Sequence, residues 1–183
     1  MSEDVSVLQT AEEIRAHILD IYSKNHFMSD YFHIQITDIH CGSATVSLKT
    51  DPLKHNNHRG RLHGGVLVAL ADSVTGVTSA TVGASVVTVA MTMNFIRTAK
   101  PGETIRVTSR ITHNGRTTIV IEADMFDEED HLMANILATM MVVDHFPEIP
   151  REWKDYGGSG FRVRGSGLTP WACCPSTADE SLS

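Results

Sequence analysis

Residues 62–82 read Leu-His-Gly-Gly-Val-Leu-Val-Ala-Leu-Ala-Asp-Ser-Val-Thr-Gly-Val-Thr-Ser-Ala-Thr-Val. From Gly64 onward this is a run of helical length, apolar around most of its circumference, with one carboxylate, Asp72, in its middle. A membrane span needs a nearly unbroken apolar stretch, and Asp72, three Thr and two Ser interrupt this one. A helix greasy on most sides has to be wrapped by other structure. The pattern predicts a buried helix from about Gly64 to Val82.

The flanking segments supply the wrapping. Upstream, Thr10-Ala11-Glu12-Glu13 forms a capping-box pattern that opens a helix through about Ser23, with Ile14, Ile18, Ile21 and Tyr22 on one face. Phe32, Ile34 and Ile36 then alternate with polar residues, as do Ala44, Val46 and Leu48 after a turn at Cys41-Gly42, which predicts two strands. A polar, His-rich loop follows from Asp51 to Arg61. Downstream, four strands are expected. Val87 to Arg97 ends at Lys100-Pro101-Gly102-Glu103, and Ile105 to Ile111 alternates up to the hairpin signal Asn114-Gly115. Thr117 to Phe126 ends at the charged Asp127–Asp130, and Leu132 to Val143 closes the set. The expected class is α+β: an antiparallel sheet curled around one long central helix. The chain divides into an N-terminal helical segment (1–29), a main domain (30–146) and a tail (147–183). The tail holds most of the prolines and lacks a sustained period, so it is expected to be mobile, with Trp153 and Trp171 as the residues able to dock it.

Composition narrows the functional classes. The 183 residues carry a net charge of -7 and no basic stripe, which disfavours a nucleic-acid partner. Cys41, Cys173 and Cys174 make neither a disulfide framework nor a metal knuckle. With no basic-then-apolar leader pattern, they point to the cytoplasm.

The chemistry-bearing residues cluster around the start of the central helix. Burying Asp72 costs several kcal/mol unless the carboxylate is paired or used, so it marks a reactive group, against the alternatives of a solvated polar face or a buried ion pair. Gly64-Gly65 opens the helix, where the first N–H groups lack internal partners and the dipole is positive. Glycine there admits a ligand close to the backbone, and such amides polarise a carbonyl and hold an oxyanion. Asn57 has both donor and acceptor for positioning a water or carbonyl, and His63 either donates to substrate or fixes the loop. His55, His58 and His63 lack the spacing of a metal set, so no metal is expected. Asp72 lies eight positions past Gly64, about 12 Å along one helix. One carbonyl cannot touch both groups of one subunit, so the chemistry demands two antiparallel copies: a homodimer with composite sites.

The frame Asn57-x-x-Gly60-x-x-His63-Gly64-Gly65-x-x-x-x-Leu70-Ala71-Asp72 resembles the signature of the PaaI-like branch of hotdog-fold acyl-CoA thioesterases. The resemblance extends through Met93–Arg97 and Lys100–Glu103 and covers roughly residues 30–143. It implies a hotdog fold, dimers and often tetramers, and hydrolysis of an acyl- or aryl-CoA thioester. Asp72 would be nucleophile or general base, and Gly64 of the other subunit would polarise the carbonyl, with Gly65 beside it. Asn57 would position the carbonyl or water. Coenzyme A would be part of the substrate, with no separate cofactor. Where many relatives carry a strand Ser or Thr that assists the water, Ala90 aligns. Thr88 and Thr92, expected on the same side by the two-residue period, are candidates for that role. Arg59, Arg61, Arg97, Lys100 and Arg116 are candidates for the phosphates of CoA, against the alternative of a solvated rim. Met91, Met93, Phe95 and the first helix are expected to shape the acyl pocket. Two other readings stay open: a hotdog hydratase or dehydratase using His63 with Asp72, and a non-catalytic acyl-CoA-binding module.

Overall fold

A computed structural model describes residues 6–153. The elements, in chain order, are α1 (Ala11–Ser23), a single π-helical turn (Phe27–Phe32), β1 (Gln35–His40), β2 (Ser43–Lys49), α2 (Pro52–His55), α3 (Gly64–Ala80), β3 (Ala84–Phe95), β4 (Thr104–Asn114), β5 (Thr118–Phe126) and β6 (Leu132–His145). All strand pairs are antiparallel, in the order β1-β2-β4-β5-β6-β3. Hairpins and short turns suffice for the neighbours β1-β2, β4-β5 and β5-β6, while α3 carries the chain across the sheet to the far edge, where β3 lies. The α+β architecture, a sheet around one long helix, is as expected.

Local chemistry explains the helices. Thr10 Oγ1 accepts from the Glu13 amide at 3.2 Å, and the Glu13 carboxylate accepts from the Thr10 amide at 3.0 Å, so the capping box forms. Such a cap is worth about 1 kcal/mol. Behind it, Ile14 and Ile18 are buried against the same core as α3. That core joins Leu70, Val74 and Val77 of α3 to Val46 and Leu48, Ile105 and Val107, Met125, and Met133 and Ile136 from four strands. Each such side chain contributes about 1.5–3 kcal/mol on burial.

Four expectations need correction. The strand expected from Phe32 starts at Gln35. Phe27–Phe32 instead winds into the π turn, ended by His33 in the left-handed region at φ 55°. The all-round burial expected of the central helix fails on one stripe: Gly65, Val68 and Asp72 are exposed and Gly76 is half-buried, at helical three- and four-residue spacing. Asp72, expected to be buried, therefore faces outward from the protomer. The strand phase of β3 also differs from a plain alternation. Thr88 pairs with Met140 but Ala90 pairs with Thr139, so Val89 is a bulge that reverses the side-chain phase. Thr88 shares the helix side with Met91 and Met93, while Ala90 and Thr92 point to the opposite face, away from Thr88.

Packing does not stop where the sheet ends. The Phe146 amide donates to Gly83 O at 2.9 Å, Ile149 and Trp153 are buried in the main core, and Trp153 Nε1 donates to Thr81 O at 2.7 Å. Residues 147–153, expected to belong to a tail without a core, thus strap the C-terminus of α3. The rest of that expected tail, with Trp171, Cys173 and Cys174, lies outside the described residues. No helix among the described residues is long and apolar enough to cross a membrane.

Candidate active site

Asp72 stands at the middle of α3, on the exposed stripe, with Oδ1 accepting from Thr88 Oγ1 at 2.6 Å. The Val89 bulge is what makes this bond, because without it Thr88 would follow Ala90 to the other face. Asp72 borders a cavity of about 220 Å³ that also touches Tyr22, Asn25, Ser73, Gly76 and Thr88. Burial first, and the Asp72 charge second, raise the Tyr22 phenol above its ordinary value, so it stays protonated. Sequence reasoning placed Tyr22 on the apolar face of α1 and missed its hydroxyl. A tyrosine on such a face carries no signal of where its oxygen ends.

At the start of the helix, His63 is the N-cap: its Nδ1 accepts from the Gly65 amide at 3.0 Å. A backbone donor at Nδ1 leaves the ring proton on Nε2. The Gly65 N–H, expected to serve substrate, is therefore spent on His63. The Gly64 N–H has no acceptor among the described residues and opens the helix. A Cβ at Gly64 would lie 3.4 Å from the Phe95 ring, so Phe95 of β3 covers this helix end.

Asn57 organises the loop before α3. Its Oδ1 accepts from the Arg59 and Arg61 amides at 2.9 and 3.2 Å, which leaves only the side-chain NH2 for a ligand. His55 is buried beneath that loop. Its Nδ1 accepts from the Asp51 amide at 2.9 Å, its carbonyl accepts from the His63 amide at 2.9 Å, and its ring stacks on Phe32. Burial, its largest influence, lowers the imidazole pKa.

The expected phosphate ligands separate. Arg59, Arg61 and Arg97 are exposed near the Gly64 end, before the helix or just after Phe95. Lys100 is not a free cation, because its Nζ pairs with Glu129. Arg116 sits in the β4–β5 hairpin at the opposite end: Thr118 pairs with Met141, which pairs with Val87. Within one protomer, then, the fold brings Asp72, Thr88 and Tyr22 together and leaves Gly64, Asn57 and His63 as a second cluster.

Comparison with known proteins identifies this layout. The family model for the thioesterase superfamily matches residues 59–134. The chain is similar to the acyl-coenzyme A thioesterase PaaI of Escherichia coli K12, 28% identical over 101 residues, covering 55% of this chain and 71% of that one. The solved structure of E. coli PaaI superposes with a TM-score of 0.70 at 20% identity, over 75% of this chain and 99% of that one, which speaks to the fold. A hypothetical thioesterase of Streptococcus pneumoniae, solved with coenzyme A, superposes with a TM-score of 0.64 at 25% identity, over 68% and 98% of the two chains. Variants of that protein with an Asp and, sixteen positions on, a Thr changed to Ala have also been solved, and Asp72 and Thr88 are sixteen apart. The putative esterase ComA2 of Bacillus subtilis is 32% identical over 129 residues, 64% of this chain and 95% of that one. With a relative matched along nearly its whole length and the sheet-and-helix arrangement in place, the chain belongs to the thioesterase superfamily, as a PaaI-like hotdog thioester hydrolase.

Proposed function

We propose that the protein hydrolyses an acyl- or aryl-CoA thioester to the free acid and CoA, with Asp72 acting across a homodimer interface. The observation that carries this reading is the pair of contacts along the edge strand: Thr88 holds Asp72, and Phe95, seven positions on, covers the free Gly64 amide. An antiparallel β3 from a second copy, centred between those two marks, lays its Phe95 end against the Thr88 end of the first. The Gly64 amide of one copy then faces the Asp72 carboxylate of the other, twice over. Exposed Val68, Val87, Val89 and Phe95 line the edge and helix stripe that such pairing covers.

In this site the thioester oxygen lies against the Gly64 N–H at the positive end of α3, with the Asn57 NH2 as a further donor. Asp72 either attacks the carbonyl carbon, forming a mixed anhydride that water then opens, or takes a proton from the water that attacks. In both courses the C–S bond breaks, CoA leaves as the thiolate, and a proton reaches its sulfur. Thr88 is a positioning residue that fixes the carboxylate rotamer. His63, tied to the Gly65 amide, is a helix cap, which argues against its pairing with Asp72 in a hydratase. Arg59, Arg61 and Arg97, exposed and without an ion pair among the described residues, are cations that the CoA phosphates would meet. The cysteine usage fits a reducing cytoplasm as the working compartment.

The test is thiol release from a panel of acyl-CoAs, compared between wild type and Asp72→Asn. Release by the wild type and its loss in the variant, with sedimentation at dimer mass, are expected. Full turnover in Asp72→Asn, or by a protein that remains monomeric at assay concentration, refutes the reading.

A further inference from the structure

The cavity beside Asp72 is lined in large part by polar side chains. Tyr22 comes from the last turn of α1 and lies across α3 at Gly76, one helical turn beyond Asp72. A Cβ at Gly76 would come 3.1 Å from the Tyr22 hydroxyl. The glycine thus makes room for that oxygen. Among the described residues the hydroxyl has no hydrogen-bond partner, and it lines the cavity. The fold thus leaves this donor free to meet a group that enters the cavity. Asn25 adds a second: its Oδ1 accepts from the Met28 amide at 3.3 Å, while its NH2 is unpartnered among the described residues. The other polar atoms of the wall are used. Ser73 Oγ donates to Ala69 O, and Thr88 Oγ1 to Asp72.

Size adds a limit. At about 220 Å³ the cavity lies below the 300–1,000 Å³ or so of pockets for drug-sized ligands, so it has no room for the nucleotide of CoA or a long alkyl chain. Gly76 is four residues past Asp72, which sets the hydroxyl about 6 Å along the helix axis from the carboxylate.

We propose that Tyr22 is the specificity-determining residue of the acyl pocket, donating to an oxygen carried by the acyl group. The substrate class is a short-chain or aryl acyl-CoA with a keto or hydroxyl oxygen about 6 Å from its thioester carbonyl. This rests on the acyl-CoA reading above and goes beyond it by naming what the acyl group must present.

The probe pair is hexanoyl-CoA and 5-oxohexanoyl-CoA, which differ in one keto oxygen at that reach, scored by the ratio of their kcat/KM values. The wild type should favour the oxo substrate about tenfold, the worth of one net hydrogen bond. In Tyr22→Phe, which keeps the ring and its packing, the ratio should fall to about one. Gly76→Ala, whose methyl displaces the hydroxyl, should lower the ratio with the phenol still present. A wild-type ratio near one, or a Tyr22→Phe variant that slows both substrates in proportion and keeps the ratio, overturns the assignment. Wild-type protein releasing no thiol from any acyl-CoA is a separate failure: it sinks the acyl-CoA reading first and this inference with it.

Discussion

Removing one hydroxyl, in Thr88→Ala, tests how Asp72 is held. The bond from Thr88 Oγ1 to Asp72 Oδ1 is 2.6 Å long and has a charged acceptor. Hydrogen bonds to charged groups are worth about 1.5–3 kcal/mol. Both side chains are exposed in the protomer, so water replaces part of what is lost, and the low end of that range applies. At about 1.4 kcal/mol per factor of ten, kcat should fall about tenfold. KM should change little, because Thr88 touches the carboxylate and its loss acts on attack more than on substrate capture. Thr88→Ser should recover most of the rate, since the serine hydroxyl leaves from the same bulged position. The melting temperature should hold, as exposed substitutions away from the core stay within about 0.5 kcal/mol. Steady-state thiol release under saturating acyl-CoA measures all three proteins. An Ala variant as fast as wild type, or a Ser variant no better than Ala, shows that the bond does not position the reacting carboxylate.

Three further outcomes follow from the same coordinates. Val89→Lys places a charge on the exposed β3 edge and should convert dimer to monomer in sedimentation, with turnover lost in step; an unchanged mass removes β3 from the interface. Gly83→Ala should destabilise by about 2–4 kcal/mol, because φ is +73° and the new Cβ would meet Ile149 O at 2.5 Å; an urea midpoint equal to wild type contradicts this. His55 is held below its ordinary pKa of 6.5 chiefly by burial, with Lys54 and His33 acting the same way and Asp51 opposing. The unfolded chain therefore takes up a proton first as pH falls through about 6.5. The loop's stability is complete above that pH and declines below it. Urea midpoints at pH 7.5 and 5.5 should show a smaller fall for His55→Asn, whose amide oxygen accepts in place of Nδ1 without titrating.

The parts of this protein written in local chemistry were legible without coordinates. The Thr10/Glu13 cap, the helix opening at Gly64 and the hairpin at Asn114-Gly115 depend on neighbours within a few positions, and each lies where its pattern predicts. The gap between Gly64 and Asp72 was also fixed, because a helix has one rise per residue. With the proposed chemistry, that spacing is what calls for a second copy.

Other features depended on which surfaces meet. The Val89 bulge has no signature in a run of alternating residues, yet it decides that Thr88 reaches Asp72 while Ala90 and Thr92 face away. The ends of the main domain were drawn by composition, but Ile149 and Trp153 join the core because α3 leaves its last carbonyls open beside them. The burial expected of Asp72 failed for a related reason: an apolar helix announces that it will be covered, and says nothing of which stripe the protomer leaves open. Sequence alone determined most of the helices and strands, since they follow from covalent geometry and short-range bonding. Tertiary structure decided phase, exposure and the Tyr22 hydroxyl's place over Gly76, because those come from packing between elements far apart in the chain.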